Sequence, residues 1–104
     1  MISRRVTRSP VRDHLATLAA AVLPAFVYML RCVDGSLYSG WTSDLDRRLE
    51  QHRTGRASRY TRSRLPVELA WSRQMPSRSE AMREEARIKR LSRADKLALV
   101  SRAG

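Results

Sequence analysis

The sequence is short of several things, and each shortage removes a class of function. It holds one cysteine, Cys32. An intramolecular disulfide and a thiolate metal cluster are therefore excluded, and a reducing, cytoplasmic setting is expected. Cys32 falls inside a strand-like stretch, so packing is its expected role. Acidic residues number 10 against 21 basic ones, a net charge of +11. That excess favours polyanionic partners, nucleic acid before anionic membrane. Lys89 and Lys96 are the only lysines, and so strong a bias to arginine is itself weak evidence of function. Long hydrophobic runs are also missing. The uncharged stretch 15–30 is interrupted by Pro24 and is shorter than the roughly 20 residues of a membrane-spanning helix, so no membrane role is expected. No zinc-type spacing, glycine-rich phosphate loop, internal repeat or low-complexity tract is present.

What remains is a chain of 104 residues, 42% apolar and 30% charged, which suits one globular domain with a modest core. Residues 1–24 carry Arg4, Arg5, Arg8 and Arg12 and then turn apolar. Arg4-Arg5 weakly resembles an export signal, but the apolar run continues directly into the first predicted strand. The expectation for 1–24 is a basic N-terminal extension, mobile or holding a short helix around 13–22. His14 within it is given no role. Residues 25–104 form the expected domain.

Residues 25–33 are rich in strand formers, Asp34-Gly35 is a hairpin signal, and 36–41 reads as the return strand. Register decides what the hairpin can do. A two-residue turn pairs Val33 with Ser36 and puts Tyr28 and Tyr38 on opposite faces. A three-residue loop with Gly35 left-handed pairs Cys32 with Ser36. Tyr38 then sits opposite Leu30, diagonal to Tyr28, and the two hydroxyls can share one small site. Gly40 on that face leaves room for a ligand or another backbone. The sequence permits either register, and a half-buried aromatic face is the plainer alternative to a site.

A helix follows. Ser43 is a plausible N-cap, Asp44 and Asp46 suit the first turn, and Gly55 suits the position past its end. Leu45 and Leu49 face the core, and Arg48 and His52, one turn apart, share the flank beside them. A guanidinium and an imidazole beside tyrosines suit phosphate binding and proton handling, although such a pair is often plain solvated surface. Residues 56–64 read as a basic loop with Arg56, Arg59, Arg62 and Arg64 around Tyr60, suited to backbone contacts and base stacking. Pro66 opens a third strand with Val67, Leu69 and Trp71 on one face. Ser77 and Glu80 form a capping box for a helix with Ala81, Met82, Ile88 and Leu91 inward. Glu84 and Glu85 flank that apolar face, and either is a candidate metal ligand by periodicity. Ser92 and Asp95 cap a last helix through about Val100, with Leu97 and Val100 inward.

In order, the chain offers a strand with Tyr, a turn, a strand with Tyr-x-Gly, a helix with Arg-x-x-x-His, a strand, and a helix with Glu. This resembles the GIY-YIG nuclease superfamily, most of all its small stand-alone bacterial members. "YMLRCVDGSLYSG", "LDRRLEQH" and "EEARIKRLSRADK" carry the resemblance, over roughly residues 25–100. It implies an α+β fold, a three-stranded antiparallel sheet flanked by helices in the order β-β-α-β-α-α. It also implies a metal-dependent endonuclease that hydrolyses phosphodiester bonds of nucleic acid, DNA above all, with little sequence specificity. The implied cofactor is one Mg²⁺ or a similar cation such as Mn²⁺. Val27-Tyr28 stands for the first motif, with Phe26 in place of its glycine, and Tyr38-Ser39-Gly40 for the second. Trp41 replaces the small or branched residue expected there.

The resemblance assigns catalytic roles to Tyr28, Tyr38, Arg48, His52 and Glu85, with Glu85 rather than Glu84 holding the metal. Tyr28 would activate the attacking water, with Arg48 and the cation lowering its pKa. Arg47, Arg56, Arg59, Tyr60, Arg62 and Arg64 would hold the nucleic acid. The alternative is a catalytically silent nucleic-acid-binding module of the same fold. Oligomeric state and the form of the nucleic acid are left open.

Overall fold

The hairpin signal at Asp34-Gly35 and the strand formers on either side of it fold as their chemistry directs. In the computed structural model, which describes residues 24–103, β1 runs Ala25–Arg31 and β2 runs Leu37–Thr42. They pair antiparallel with Tyr28 opposite Gly40 and Leu30 opposite Tyr38. At the turn, the Cys32 amide donates to the Ser36 carbonyl at 2.9 Å and the Gly35 amide to the Cys32 carbonyl at 2.9 Å. Gly35 has φ +85°, the left-handed region. This is the three-residue loop, and both tyrosines lie on one face. Asp34 closes the turn by accepting from the Ser36 amide at 3.0 Å and the Ser36 hydroxyl at 2.6 Å.

The remaining elements are α1 (Leu45–Arg53), α2 (Arg59–Arg62), β3 (Glu68–Met75), α3 (Arg78–Lys89) and α4 (Arg93–Ala103). β3 pairs antiparallel with β1, giving the strand order β2-β1-β3. The fold is α+β, as the sequence leads one to expect. Residues 13–22 and His14 lie outside the described residues.

Alternation along β1 builds two cores. Ala25, Val27 and Met29 face one way and pack with Trp71, Ala81 and Ile88 beneath α3 and α4. Tyr28, Leu30 and Cys32 face the other way and pack with Leu49 and Val67, against α1. Cys32 is buried and free, in keeping with a packing role. Ser39 Oγ, between the tyrosine and glycine of the second motif, is buried with no hydrogen-bond partner among the described residues.

Several local expectations need correction. Asp44, not Ser43, caps α1: it has extended φ/ψ and accepts from the Arg47 amide. Ser43 is one residue too early, and Thr42 Oγ1 instead accepts from the Asp44 amide at 3.1 Å. Residues 56–64 are not all loop, because Ser58 caps the single turn α2. The third strand starts at Glu68, two residues after Pro66. Val67 and Trp71 do not share a face. A bulge makes the pairing step from Met29–Trp71 to Leu30–Leu69, skipping Ala70, so Val67 and Trp71 enter different cores. Leu69 is left 38% exposed. Met82 is 51% exposed and does not join the inward face of α3. Ser77 does cap α3 through the Glu80 amide, and Ser92 receives the Asp95 amide at α4. The last helix continues past Val100 to Ala103, with Leu99 and Val100 against the core.

Candidate active site

The register places Tyr28 and Tyr38 side by side on the α1 face, and α1 delivers His52 to them from above. Asp44 sets the start of α1, which fixes the angle at which residues 48 and 52 project. Tyr28 Oη lies 2.8 Å from His52 Nε2, a buried hydrogen bond between residues 24 apart in sequence. The Tyr38 ring meets the imidazole edge-on, with centroids 5.3 Å apart. Tyr28 is 2% and His52 1% exposed, so neither is a surface group.

Gly40 is what admits the Tyr28 ring. A Cβ there would sit 2.5 Å from Tyr28 Oη and 2.7 Å from Cζ. The space expected for a ligand or a second backbone is thus filled by the chain's own tyrosine, laid across β2.

Burial dominates the ionisation of this pair. The Tyr28 phenol is pushed well above the ordinary tyrosine value, first by burial, then by Tyr38; Arg48 pulls it down and Glu85 pushes it up. Arg48 alone therefore does not make Tyr28 acidic. Arg48 acts in that direction, but desolvation is larger. His52 falls to about 4, mainly through burial and then through Arg48. At neutral pH the two are a neutral phenol and a neutral imidazole. Arg48 itself is half-buried, and among the described residues no carboxylate pairs with it.

The two glutamates of α3 separate clearly. Glu84 is held by Arg87, with contacts of 3.0 and 2.6 Å, and by Arg73 at 3.4 Å. These guanidiniums hold its carboxyl below the ordinary range, the Arg87 hydrogen bond first. Glu85 has one salt-bridge partner among the described residues, Lys89 at 3.2 Å, and its charge is felt by Tyr28. Of the two, Glu85 is the one whose charge reaches Tyr28, while Glu84 belongs to an ion cluster with Arg73 and Arg87.

The basic residues of 47–64 fall into two groups. Arg47 and Arg56 line a cleft of about 320 Å³ with Glu50 and Gln51. Arg59 and Arg62 are exposed on α2. Arg64 is engaged within the chain. It donates to Asp34 Oδ2 at 3.0 Å and to the Tyr60 carbonyl at 3.0 Å, and its guanidinium lies 3.8 Å over the Tyr60 ring. Tyr60 in turn stacks on Tyr38 with centroids 5.7 Å apart. Tyr60 and Arg64 thus continue the column that starts at Tyr28 and His52.

One participant was not anticipated from sequence. Thr61, fully buried, lies 2.8 Å from His52 Nδ1 through Oγ1. The available signal was Ser58, a capping residue three positions before Thr61, which marks a helical turn inside the basic segment.

Among the described residues no cluster of three or more His, Cys, Asp or Glu could cage a metal. A lone half-buried carboxylate still fits Mg²⁺ or Mn²⁺. Such hard ions commonly keep several waters and take one or two carboxylates together with substrate phosphate. No described helix is long and apolar enough to cross a membrane.

A family model described as the GIY-YIG catalytic domain matches residues 24–98. A UPF0213 protein of Streptococcus agalactiae is 49% identical over 75% of this chain and 89% of its own. One from Halobacterium salinarum is 51% identical over 70% of this chain and 95% of its own. The solution NMR structure of the UPF0213 protein BH0048 from Bacillus halodurans is 47% identical, covers 75% of this chain and 83% of that one, and superposes with a TM-score of 0.50.

Proposed function

The chain belongs to the GIY-YIG family, a nuclease superfamily, and from that premise we propose that it is a metal-dependent endonuclease hydrolysing phosphodiester bonds of nucleic acid, DNA in the first instance. The observation that carries this reading is the 2.8 Å bond from Tyr28 to His52, beside Arg48. A neutral phenol held against a neutral imidazole is a proton pathway, and it is of little use to a protein that only binds.

Tyr28 is too weak an acid to rest as a phenolate. It can still accept a proton from an attacking water if it releases its own proton to His52 at the same moment. Its O–H bond breaks as a bond to Nε2 forms, and no free phenolate is needed. Tyr38 limits the movement of the imidazole. Arg48 offers two donors to a phosphate and stabilises charge that grows on its oxygens during attack. Glu85 is the residue that would hold the divalent cation, which supplies Lewis-acid stabilisation of the same phosphate when bound. Arg47, Arg56, Arg59 and Arg62 supply backbone contacts that carry no sequence information, which is why low sequence specificity is proposed.

Nicking of supercoiled plasmid in Mg²⁺, with an EDTA control and Glu85→Gln and Glu84→Gln variants, tests the reading. The expected result is metal-dependent nicking, lost in Glu85→Gln with the fold intact. Glu84→Gln should keep activity and lose on the order of 1 kcal/mol of stability from its arginine cluster. DNA binding with no nicking under any divalent metal would favour the silent binding module instead.

A further inference from the structure

His52 has two ring nitrogens, and its usefulness to Tyr28 depends on which one carries the proton. If Nε2 is bare, it can take the Tyr28 proton. If Nε2 is protonated, it can only donate. The neighbours decide. Nε2 faces Tyr28 Oη at 2.8 Å and Nδ1 faces Thr61 Oγ1 at 2.8 Å. Thr61 Oγ1 also lies 2.8 Å from Ser58 Oγ, and Ser58 Oγ accepts from the Thr61 amide at 3.1 Å.

Two tautomers of His52 are consistent with those distances, and Thr61 Oγ1 can also donate to the Ser58 carbonyl at 3.5 Å. In one, Ser58 donates to Thr61, Thr61 donates to Nδ1, and Nε2–H donates to Tyr28. The Tyr28 proton then has no protein acceptor, because His52 is the only hydrogen-bond partner of Tyr28 Oη among the described residues. In the other, Tyr28 donates to Nε2, Nδ1–H donates to Thr61, and Thr61 donates to Ser58 Oγ. Here Tyr28, His52 and Thr61 are all satisfied, and the only unassigned proton is that of Ser58, which is half-buried and can reach water. Because Tyr28, His52 and Thr61 are each nearly or fully buried, an unsatisfied donor among them is costly, and the second arrangement prevails.

We propose that Thr61 is a positioning residue, which with Ser58 behind it fixes His52 as the tautomer protonated on Nδ1 and so leaves Nε2 open to the Tyr28 hydroxyl. The chain Tyr28–His52–Thr61–Ser58 is continuous, and it is built from α1 and the single turn α2. The cap of that turn thereby does two jobs. Ser58 starts the helix and anchors the hydroxyl that orients the imidazole. As Nε2 gains the Tyr28 proton, Nδ1–H stays bonded to Thr61, and the resulting imidazolium keeps a hydrogen-bond acceptor. The role in turnover rests on the endonuclease reading above. The placement of the proton does not.

The test therefore has two arms. The first is nitrogen NMR of the full chain with ¹⁵N-labelled histidine, His14→Gln identifying the His52 signals. Wild type and Thr61→Ser should show Nδ1 protonated and Nε2 bare at neutral pH. Thr61→Val, which keeps the shape and loses the acceptor, should shift His52 toward the Nε2-protonated form. Wild-type His52 protonated on Nε2, or an unchanged tautomer in Thr61→Val, would overturn the proposal. The wild-type measurement decides even if the valine variant fails to fold. The second arm is plasmid nicking. Thr61→Val should lose about tenfold or more in kcat with KM little changed, since a wrong tautomer disables a base without touching substrate. Thr61→Ser should restore it. Full kcat in Thr61→Val also overturns the proposal. No nicking by wild type overturns the endonuclease reading instead, and the NMR arm still decides the proton.

Discussion

Gly40→Ala changes one hydrogen for a methyl and should disable the site from beneath. The new Cβ would lie 2.5 Å from Tyr28 Oη and 2.7 Å from Cζ, where ordinary contact begins at 3.4 Å. Tyr28 Oη must retreat by about 0.9 Å, or β2 must move by as much. The ring cannot swing to solvent, because it is 2% exposed and packed with Leu30 and Leu49. Overpacking of this kind costs about 1–3 kcal/mol. A shift of that size also lengthens the 2.8 Å bond to His52 toward a distance at which no hydrogen bond remains. Two buried polar groups left unpaired add about 1–3 kcal/mol. With partial relaxation, a loss of about 2–4 kcal/mol is expected in urea unfolding. In a Tyr28→Phe background the hydroxyl contact and the hydrogen bond are both absent, so the same substitution should cost about 1 kcal/mol less. Nicking should fall by about a hundredfold, as expected for a reacting group displaced by an ångström. If Gly40→Ala unfolds within about 0.5 kcal/mol of wild type, the ring does not lie across β2 as described and the argument from Gly40 fails.

Three other outcomes are expected. His52 is held near 4 in the fold against an ordinary value of 6.5, so the unfolded chain takes up its proton first. Stability should be full above about pH 6.5, fall as pH drops toward 4, and lose at most about 3 kcal/mol. His52→Gln should flatten that slope in urea melts at several pH values, and an unchanged slope would assign it to other groups. Gly35→Val should destabilise the hairpin by roughly 1–2 kcal/mol through backbone strain alone, since a Cβ there meets nothing within 4 Å. Gly35→Asn should be close to neutral, and equal melting of all three forms would argue against the left-handed loop. Affinity for duplex DNA should fall with a log–log salt slope of about −3.5 to −5.5, corresponding to four to six phosphates neutralised. A slope near zero in a binding titration across salt would contradict electrostatic, backbone-directed recognition.

Much of this could be read from local sequence, where a residue's own backbone chemistry makes the decision. Gly35 is the clearest case. The sequence allowed two registers, and the structure takes the one that uses glycine's tolerance of positive φ. Ser77 and Ser92 marked their helices for the same reason, a side chain capping its own amides. What escaped depended on distant partners. The bulge at Ala70 answers to β1 on one side and to two separate cores, and no period within 67–71 reveals it. Met82 looks like a core residue by spacing, but it is left exposed while Ala81 beside it is buried. Glu84 and Glu85 are equivalent by periodicity, and the arginines that engage Glu84, Arg87 on its own helix and Arg73 on a neighbouring strand, tell them apart. Thr61 is nine residues from His52, and nothing in its neighbours points toward an imidazole.

The bulge in β3 acts as a phase shifter. Upstream of Ala70, Val67, which leads into the strand, serves the tyrosine side; downstream, Trp71 serves the opposite side. A single strand thus supplies two cores whose side chains never meet, and substitutions in one should be energetically independent of those in the other. The extra residue is what makes this possible. In a regular strand Val67 and Trp71, four positions apart, would share a face, and one of them would enter the wrong layer. The skipped position at Ala70, rather than any one apolar side chain, is therefore what divides β3 between the two faces.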